Sequence, residues 1–239
     1  MIKLEDISKN YGDKQLYSHF YAEFEEHKVS CILGASGVGK TTLINIVAGL
    51  IMPDGGRVLL PAEGQVRGSY VFQEPRLLPW LNVHDNLELV LKNVPKMTDE
   101  RGKNVFYSKK ERAELIKKQL KLVGLESYEF SPLNELSGGM VQRVSLCRAF
   151  LYPADLLFLD EPFKEQDTKL KDELYDTFFR AYENDSARRT VLFVTHDISE
   201  ALRLADAIYV LAGSPAKIAG KFDKAEFGEG ITEKIKELI

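Results

Sequence analysis

Apolar and polar residues alternate over positions 1 to about 33, as in Ile2, Leu4 and the stretch Tyr17 to Phe24, before the continuous apolar run Val29 to Leu33. Alternation marks half-buried strands, and a short unbroken run marks a strand covered on both faces. The spacing therefore predicts strands that end in a buried one. Directly after Leu33 stands GASGVGKTT, followed by a helical stretch, Leu43 to Ala48, which Gly49 stops and Pro53, Asp54, Gly55 and Gly56 punctuate. Val58 to Leu60 and Tyr70 to Phe72 read as two further short strands. Past Phe72 the chain turns charged and helix-forming, which marks the start of a second lobe. There Ser108-Lys109-Lys110-Glu111 has the form of a capping box, opening a helix with Ile116, Leu120 and Val123 on its apolar face and Gly124 as its stop. Three more apolar runs, Leu156 to Leu159, Val191 to Val194 and Ala207 to Leu211, are separated by helical segments long enough for crossovers. The pattern is α/β with a parallel sheet, closed by a short terminal helix over Ile231 to Ile239.

With 239 residues, 44% of them hydrophobic and 28% charged, the chain can bury a core and is neither disordered nor fibrous in composition. Its 32 Lys and Arg against 36 Asp and Glu leave a net charge of −4. The basic footprint of a nucleic-acid binder is missing, so any anionic ligand has to be held locally. Charges occupy the N-terminal positions where a secretory signal needs its apolar stretch, and no apolar run reaches the roughly 18 residues of a membrane span. A soluble chain is expected, reaching a membrane only through a partner. Cys31 and Cys147 lie in apolar surroundings at neither metal-ligand nor redox spacing, and are read as buried, reduced thiols of a cytosolic protein.

Gly34-Ala35-Ser36-Gly37-Val38-Gly39-Lys40-Thr41 matches GxxxxGK[ST], and Thr42 follows it into the helix. In such a loop backbone N–H groups and a helix N-terminus wrap nucleotide phosphates. Lys40 is placed to reach the β- and γ-phosphates, and the Thr41 hydroxyl to ligate Mg²⁺, a hard cation that wants oxygen ligands. Leu156 to Leu159 runs into Asp160 and Glu161, at the carboxyl end of a parallel strand where open α/β sheets hold their ligands. Asp160 suits a second contact to the metal. Glu161 suits the carboxylate that orients or deprotonates the attacking water. In Leu136-Ser137-Gly138-Gly139-Met140-Val141-Gln142-Arg143 the serine is a helix start. Two glycines behind it leave a bare backbone able to approach an anion, at a cost to the helix that a plain N-cap does not explain.

Here the sequence resembles the ATP-binding cassette (ABC) ATPases, whose signature motif reads LSGG followed by Gln or Met; the resemblance spans nearly the whole chain with its motifs in order. It implies one ABC ATPase domain over 1–239 with a P-loop NTPase (RecA-like) parallel-sheet core and an N-terminal antiparallel β subdomain, over 1–75 and 153–239. An inserted α-helical subdomain, 76–152, carries the signature. Tyr11 becomes the aromatic that stacks on adenine, Gln73 the residue that touches the metal and reports to a membrane partner, and His196 the switch histidine at the γ-phosphate. Two copies are implied to pack head to tail, so that the phosphate loop of one and Ser137 with Gly139 of the other enclose each ATP. Asp197, with Glu200 three residues on, is expected to cap the next helix.

The stretch Val71 to Leu87, together with Ser137 to Met140 and Glu161-Pro162-Phe163, is similar to the importer branch serving nitrate, sulfonate, taurine and related solutes. That likeness implies a Mg-ATPase at the cytoplasmic face of the membrane, with permease subunits and a solute-binding protein outside as partners and no nucleic acid. The alternative is a soluble regulatory ABC ATPase acting on a cytosolic target. Trp80, the single tryptophan, reads either as an anchor for a permease helix or as a core residue of the helical lobe. Three departures from the family pattern stand out: Lys164-Glu165-Gln166 before Asp167, Ala35 in place of a proline, and a long segment Pro95 to Tyr107, expected to be a solvent loop.

Overall fold

The computed structural model describes residues 1–61, 66–92, 94–98, 104–164, 168–185 and 188–239. Its elements are β1 (Ile2–Tyr11), β2 (Lys14–Phe24), β3 (Val29–Leu33), α1 (Lys40–Val47), β4 (Gly55–Leu59), β5 (Gly68–Val71), α2 (Val83–Lys92), β6 (Pro95–Thr98), β7 (Asn104–Phe106) and α3 (Lys109–Leu122). Next come α4 (Gly138–Leu151), β8 (Leu156–Asp160), α5 (Thr168–Glu183), β9 (Thr190–Thr195), α6 (Ile198–Leu204), β10 (Ala207–Ala212), β11 (Lys217–Asp223) and α7 (Ile231–Lys236). They form two units, the first made of Met1–Gly68, Asp155–Glu161 and Arg189–Ile239, the second of Ser69–Ala154 and Pro162–Arg188.

The first unit holds an antiparallel sheet, β2-β1-β4, and the strand order β11-β10-β3-β9-β8 of the larger sheet. In β1 and β2 the alternation pairs Ile2 with Phe24, Leu4 with Ala22 and Ile7 with Phe20, and all six side chains are buried. The register slips between Leu4 and Ile7, at Asp6, and again between Ile7 and Lys9, at His19 on the facing strand; the two residues adopt positive φ values of 58° and 48°, as bulges do. β10, β3, β9 and β8 run parallel. Every residue of β3, β8 and β9 is buried, which is why each reads as a mainly apolar run, with Ser30 buried inside β3 and Asp160, Thr190 and Thr195 at strand ends. The strand expected over Val58 to Leu60 begins earlier, at Gly55. The two glycines taken as turn punctuation belong to the sheet, with Ser8 opposite Gly55. Gly56, at φ +82°, tucks so closely under β1 that a Cβ would stand 2.3 Å from the Asp6 carbonyl oxygen.

The second unit is built on α2, α3 and α4, which bury Val83, Leu87, Ile116, Leu120, Val144 and Cys147 together. Ser108 caps α3 in the expected box, its side chain accepting from Glu111 N–H while Glu111 accepts from Ser108 N–H. Lys96 and the Ser108 amide on the Glu111 carboxylate lower its pKa to about 2. α5 belongs with this unit, Phe178 meeting Phe150 at 6.1 Å between ring centroids. One expectation is corrected: Pro95 to Tyr107 is not a plain solvent loop. β6 and β7 pair antiparallel, Pro95 opposite Phe106 and Thr98 opposite Asn104, and Tyr107 packs against the helical core. Val105 and Phe106 favour extended backbone, and a proline at the first residue of a strand sacrifices no ladder bond the pair needs.

Candidate nucleotide site

The loop after β3 carries Lys40 into α1, whose N-cap, Gly39, has φ +119° and no side-chain cap. Only glycine adopts that conformation without strain, and the uncapped first turn leaves its N–H groups available to an anion. Ala35, Ser36 and Gly37 form an exposed lip, turned by a bond from Val38 N–H to the Ala35 carbonyl oxygen at 3.4 Å. Ala35 thus serves the turn without the ring of a proline. Beneath the lip lies Tyr17, fully buried, its hydroxyl donating to the Gly39 carbonyl oxygen at 2.9 Å. The same oxygen accepts from Leu43 N–H at 2.9 Å. Burial pushes the Tyr17 hydroxyl pKa up, so it stays a donor at every working pH. A Gly39→Ala chain would need a strained φ and would put its Cβ 2.7 Å from that hydroxyl. We expect it to lose about 1–3 kcal/mol in denaturant unfolding together with nucleotide affinity.

Lys40 is buried, donates to the carbonyl oxygens of Gly34 at 2.9 Å and Ala35 at 3.0 Å, and stands 3.8 Å from Glu161 Oε1. The Thr41 hydroxyl donates to Asp160 Oδ1 at 2.8 Å. Glu161 leaves β8 at φ +43°, held by a bond from its N–H to the Val194 carbonyl oxygen at 3.0 Å. That turn aims its side chain at the end of the neighbouring β9, where His196 Nδ1 comes to 3.3 Å from Glu161 Oε2. Lys40, Thr41, Asp160, Glu161 and His196 are thus one constellation at the carboxyl ends of β3, β8 and β9. A hydroxyl and a carboxylate at hydrogen-bond distance are the hard oxygen donors that suit Mg²⁺, which takes its other oxygens from phosphate and water. Among the described residues no cluster of three His, Cys, Asp or Glu could cage a metal on its own.

Other expected site residues belong to other elements. Tyr11 is half exposed at the end of β1, with Lys9 Nζ 5.6 Å from its ring centroid. Gln73, Ser137 and Gly139 belong to the second unit. Gln73 is exposed. Ser137 is the N-cap of α4 and accepts from Met140 N–H at 3.3 Å. Gly138 is open, whereas a Cβ on Gly139 would meet Leu170 Cδ1 at 2.5 Å, so packing of α4 on α5 is a second reason for that glycine. Asp197 caps α6 as expected, but Glu200 does not complete a box: its carboxylate turns instead to the Thr195 hydroxyl. Trp80 is 75% exposed, which excludes the core reading in this chain. Of the altered segment after Phe163, positions 165–167 lie outside the described residues. Cys31 and Cys147 are free and buried, and burial pushes both thiols up.

A parallel sheet with a glycine loop, a buried lysine, and a threonine, aspartate, glutamate and histidine at its strand ends defines a P-loop nucleoside triphosphatase. Residues 18–164 match the family described as ABC transporter. The chain is 37% identical over 212 residues to the nitrate import ATP-binding protein NrtD of Synechococcus elongatus, covering 85% of this chain and 73% of the relative. It is 34% identical over 219 residues to the aliphatic sulfonates import ATP-binding protein SsuB of Bacillus cereus, covering 89% and 80%. Among solved structures, the dimeric bacterial ABC transporter cassette MJ0796 superposes with TM-score 0.76 at 26% identity over 94% of this chain and 99% of that one. The chain belongs to the ABC transporter family and is an ATP-binding cassette, an ATPase. No helix among the described residues is long and apolar enough to cross a membrane.

Proposed function

We propose that this chain powers import of a small solute of the nitrate or sulfonate class from the cytoplasmic face of a membrane, by closing on a second copy of itself around Mg-ATP. The observation that carries the reading is the constellation of Lys40, Thr41, Asp160, Glu161 and His196, together with the import ATP-binding proteins among the relatives. The phosphate loop, Gly34 to Thr42, receives the phosphates. Lys40 neutralises their charge, and Thr41 and Asp160 would hold Mg²⁺, a role the family resemblance extends to Gln73; the ion would supply a Lewis acid at the phosphates. Glu161 takes the proton of the attacking water, and His196 contacts the γ-phosphate. Tyr11 stacks on the adenine, while Ser137 and Gly139 of the second copy close the site from the other side. In this reading the core (1–75 and 153–239) and the helical lobe (76–152) are subdomains of one domain. Permease subunits receive the closing motion, and a solute-binding protein delivers cargo outside.

The test is affinity purification of the tagged chain from gently solubilised cells, with mass identification of what stays bound. A multi-span membrane protein supports the importer. Soluble partners alone, under conditions where a control transporter stays intact, would shift the assignment to a cytosolic ATPase. Trp80 gives this experiment a second arm. An aromatic 75% exposed has the chemistry of an interface anchor. In the Trp80→Ala chain the recovered permease should fall about tenfold or more, at unchanged ATPase activity of the isolated subunit.

A further inference from the structure

We propose that Glu200, acting through Thr195, is a positioning residue that sets the orientation of His196. The inference rests on the reading of His196 as the group at the γ-phosphate. Glu200 is 3% exposed and Thr195 1% exposed, and neither has a role in the site described so far. Three bonds close a ring around the turn between β9 and α6. The Thr195 hydroxyl donates to Glu200 Oε2. The same hydroxyl oxygen accepts from Asp197 N–H at 3.0 Å. Asp197 Oδ1 in turn accepts from Glu200 N–H at 3.3 Å, and from Ser199 N–H at 2.9 Å. His196 is the residue inside this ring, and its side chain, 47% exposed, points out of it to Glu161.

A threonine hydroxyl has one proton and two lone pairs. With the proton committed to Glu200, the lone pair that meets the Asp197 amide has a fixed direction, and the peptide between His196 and Asp197 is held by it. Losing the acceptor frees the hydroxyl to rotate and that peptide to turn. Burying a carboxylate is costly unless it is hydrogen-bonded, and Asp197 alone already caps α6. The acceptor that Glu200 gives the Thr195 hydroxyl is the property the inference assigns to the position.

The experiment compares ATP turnover with binding of a fluorescent ATP analogue in the full chain carrying Thr195→Val, Thr195→Ser, Glu200→Leu, Glu200→Gln or His196→Ala, alone and combined. Thr195→Val and Glu200→Leu are each expected to lower kcat about tenfold while the analogue's Kd stays within about twofold. Thr195→Ser and Glu200→Gln, which keep the donor and the acceptor, should recover turnover to within about threefold of the parent. In the His196→Ala background, adding Thr195→Val should cause no further loss, because the histidine they position is gone. If Glu200→Leu fails to fold, the threonine series carries the test by itself. Effects that multiply in the double variant, or serine and glutamine variants as impaired as valine and leucine, would overturn the proposal. A His196→Ala chain turning over at the parent's rate would instead remove the histidine reading, and the proposal with it.

Discussion

A Glu161→Gln chain is expected to bind ATP as tightly as the parent and to hydrolyse it more slowly by about 10²–10⁴, the range a positioned general base contributes. The structure explains why binding should survive. Glu161 sits at φ +43°, a conformation that costs glutamine no more than glutamate, and its N–H bond to the Val194 carbonyl involves backbone only. Glutamine keeps the shape and an acceptor oxygen near His196 Nδ1, and loses the charge 3.8 Å from Lys40. That loss releases Lys40 from a competing carboxylate and should favour the nucleotide complex if it has any effect. The base is then missing while the phosphate loop is intact, so ATP should accumulate uncleaved. The measurement is phosphate release beside size-exclusion chromatography in ATP and Mg²⁺, where the variant should run as a dimer that the parent forms only transiently. Turnover at the parental rate would take Glu161 out of the catalytic role, and a monomer with bound ATP would count against closure of two copies.

How legible this site was depended on whether its parts are local. The phosphate loop is contiguous, and its spacing reports a backbone shape that few other residues allow. β3, β8 and β9 are legible because burial on both faces leaves short, mainly apolar runs, in which Ser30 is the one polar side chain away from a strand end. Ser108 and Ser137 were legible as helix starts because a cap bonds to an amide only three residues on. Tyr17 carries no local signal: in sequence it is one inward position of an alternating strand, and its partner, Gly39, comes from another element. The same holds for Glu200, whose spacing from Asp197 suggested a capping box but whose carboxylate found a better donor in the buried Thr195 hydroxyl. β6 and β7 leave no pattern in the sequence because each is too short to show a period, and a proline and charged neighbours disguise them. Trp80 is the reverse case. Its sequence environment allowed both a core and a surface position, and only packing decides between them.

Lys40→Ala should abolish specific ATP binding, lowering affinity by about two orders of magnitude or more, as expected for loss of a buried cation hydrogen-bonded to phosphate. The Lys40 ammonium is bound to the loop's own carbonyls, Gly34 and Ala35, and it is almost fully withdrawn from water. A cation in that position is only weakly screened by solvent, so its attraction to a triphosphate is larger than that of any exposed lysine. Its removal also leaves Glu161 without its cation at 3.8 Å, and a partly buried carboxylate beside the phosphates would then oppose binding. Two effects of the same sign therefore add, and this variant should be impaired in affinity where Glu161→Gln is impaired in turnover. Arginine should not rescue it, because the planar guanidinium fork cannot replace a compact ammonium between two carbonyls of a tight glycine loop. Isothermal titration with ATP and Mg²⁺ reads the affinity, and thermal unfolding without nucleotide checks that the chain is folded. The parent should gain stability as ATP is raised, by the linkage of a ligand to the native state, and Lys40→Ala should gain none. A Lys40→Ala chain that is stabilised by ATP as the parent is would place the nucleotide somewhere other than the loop from Gly34 to Thr42.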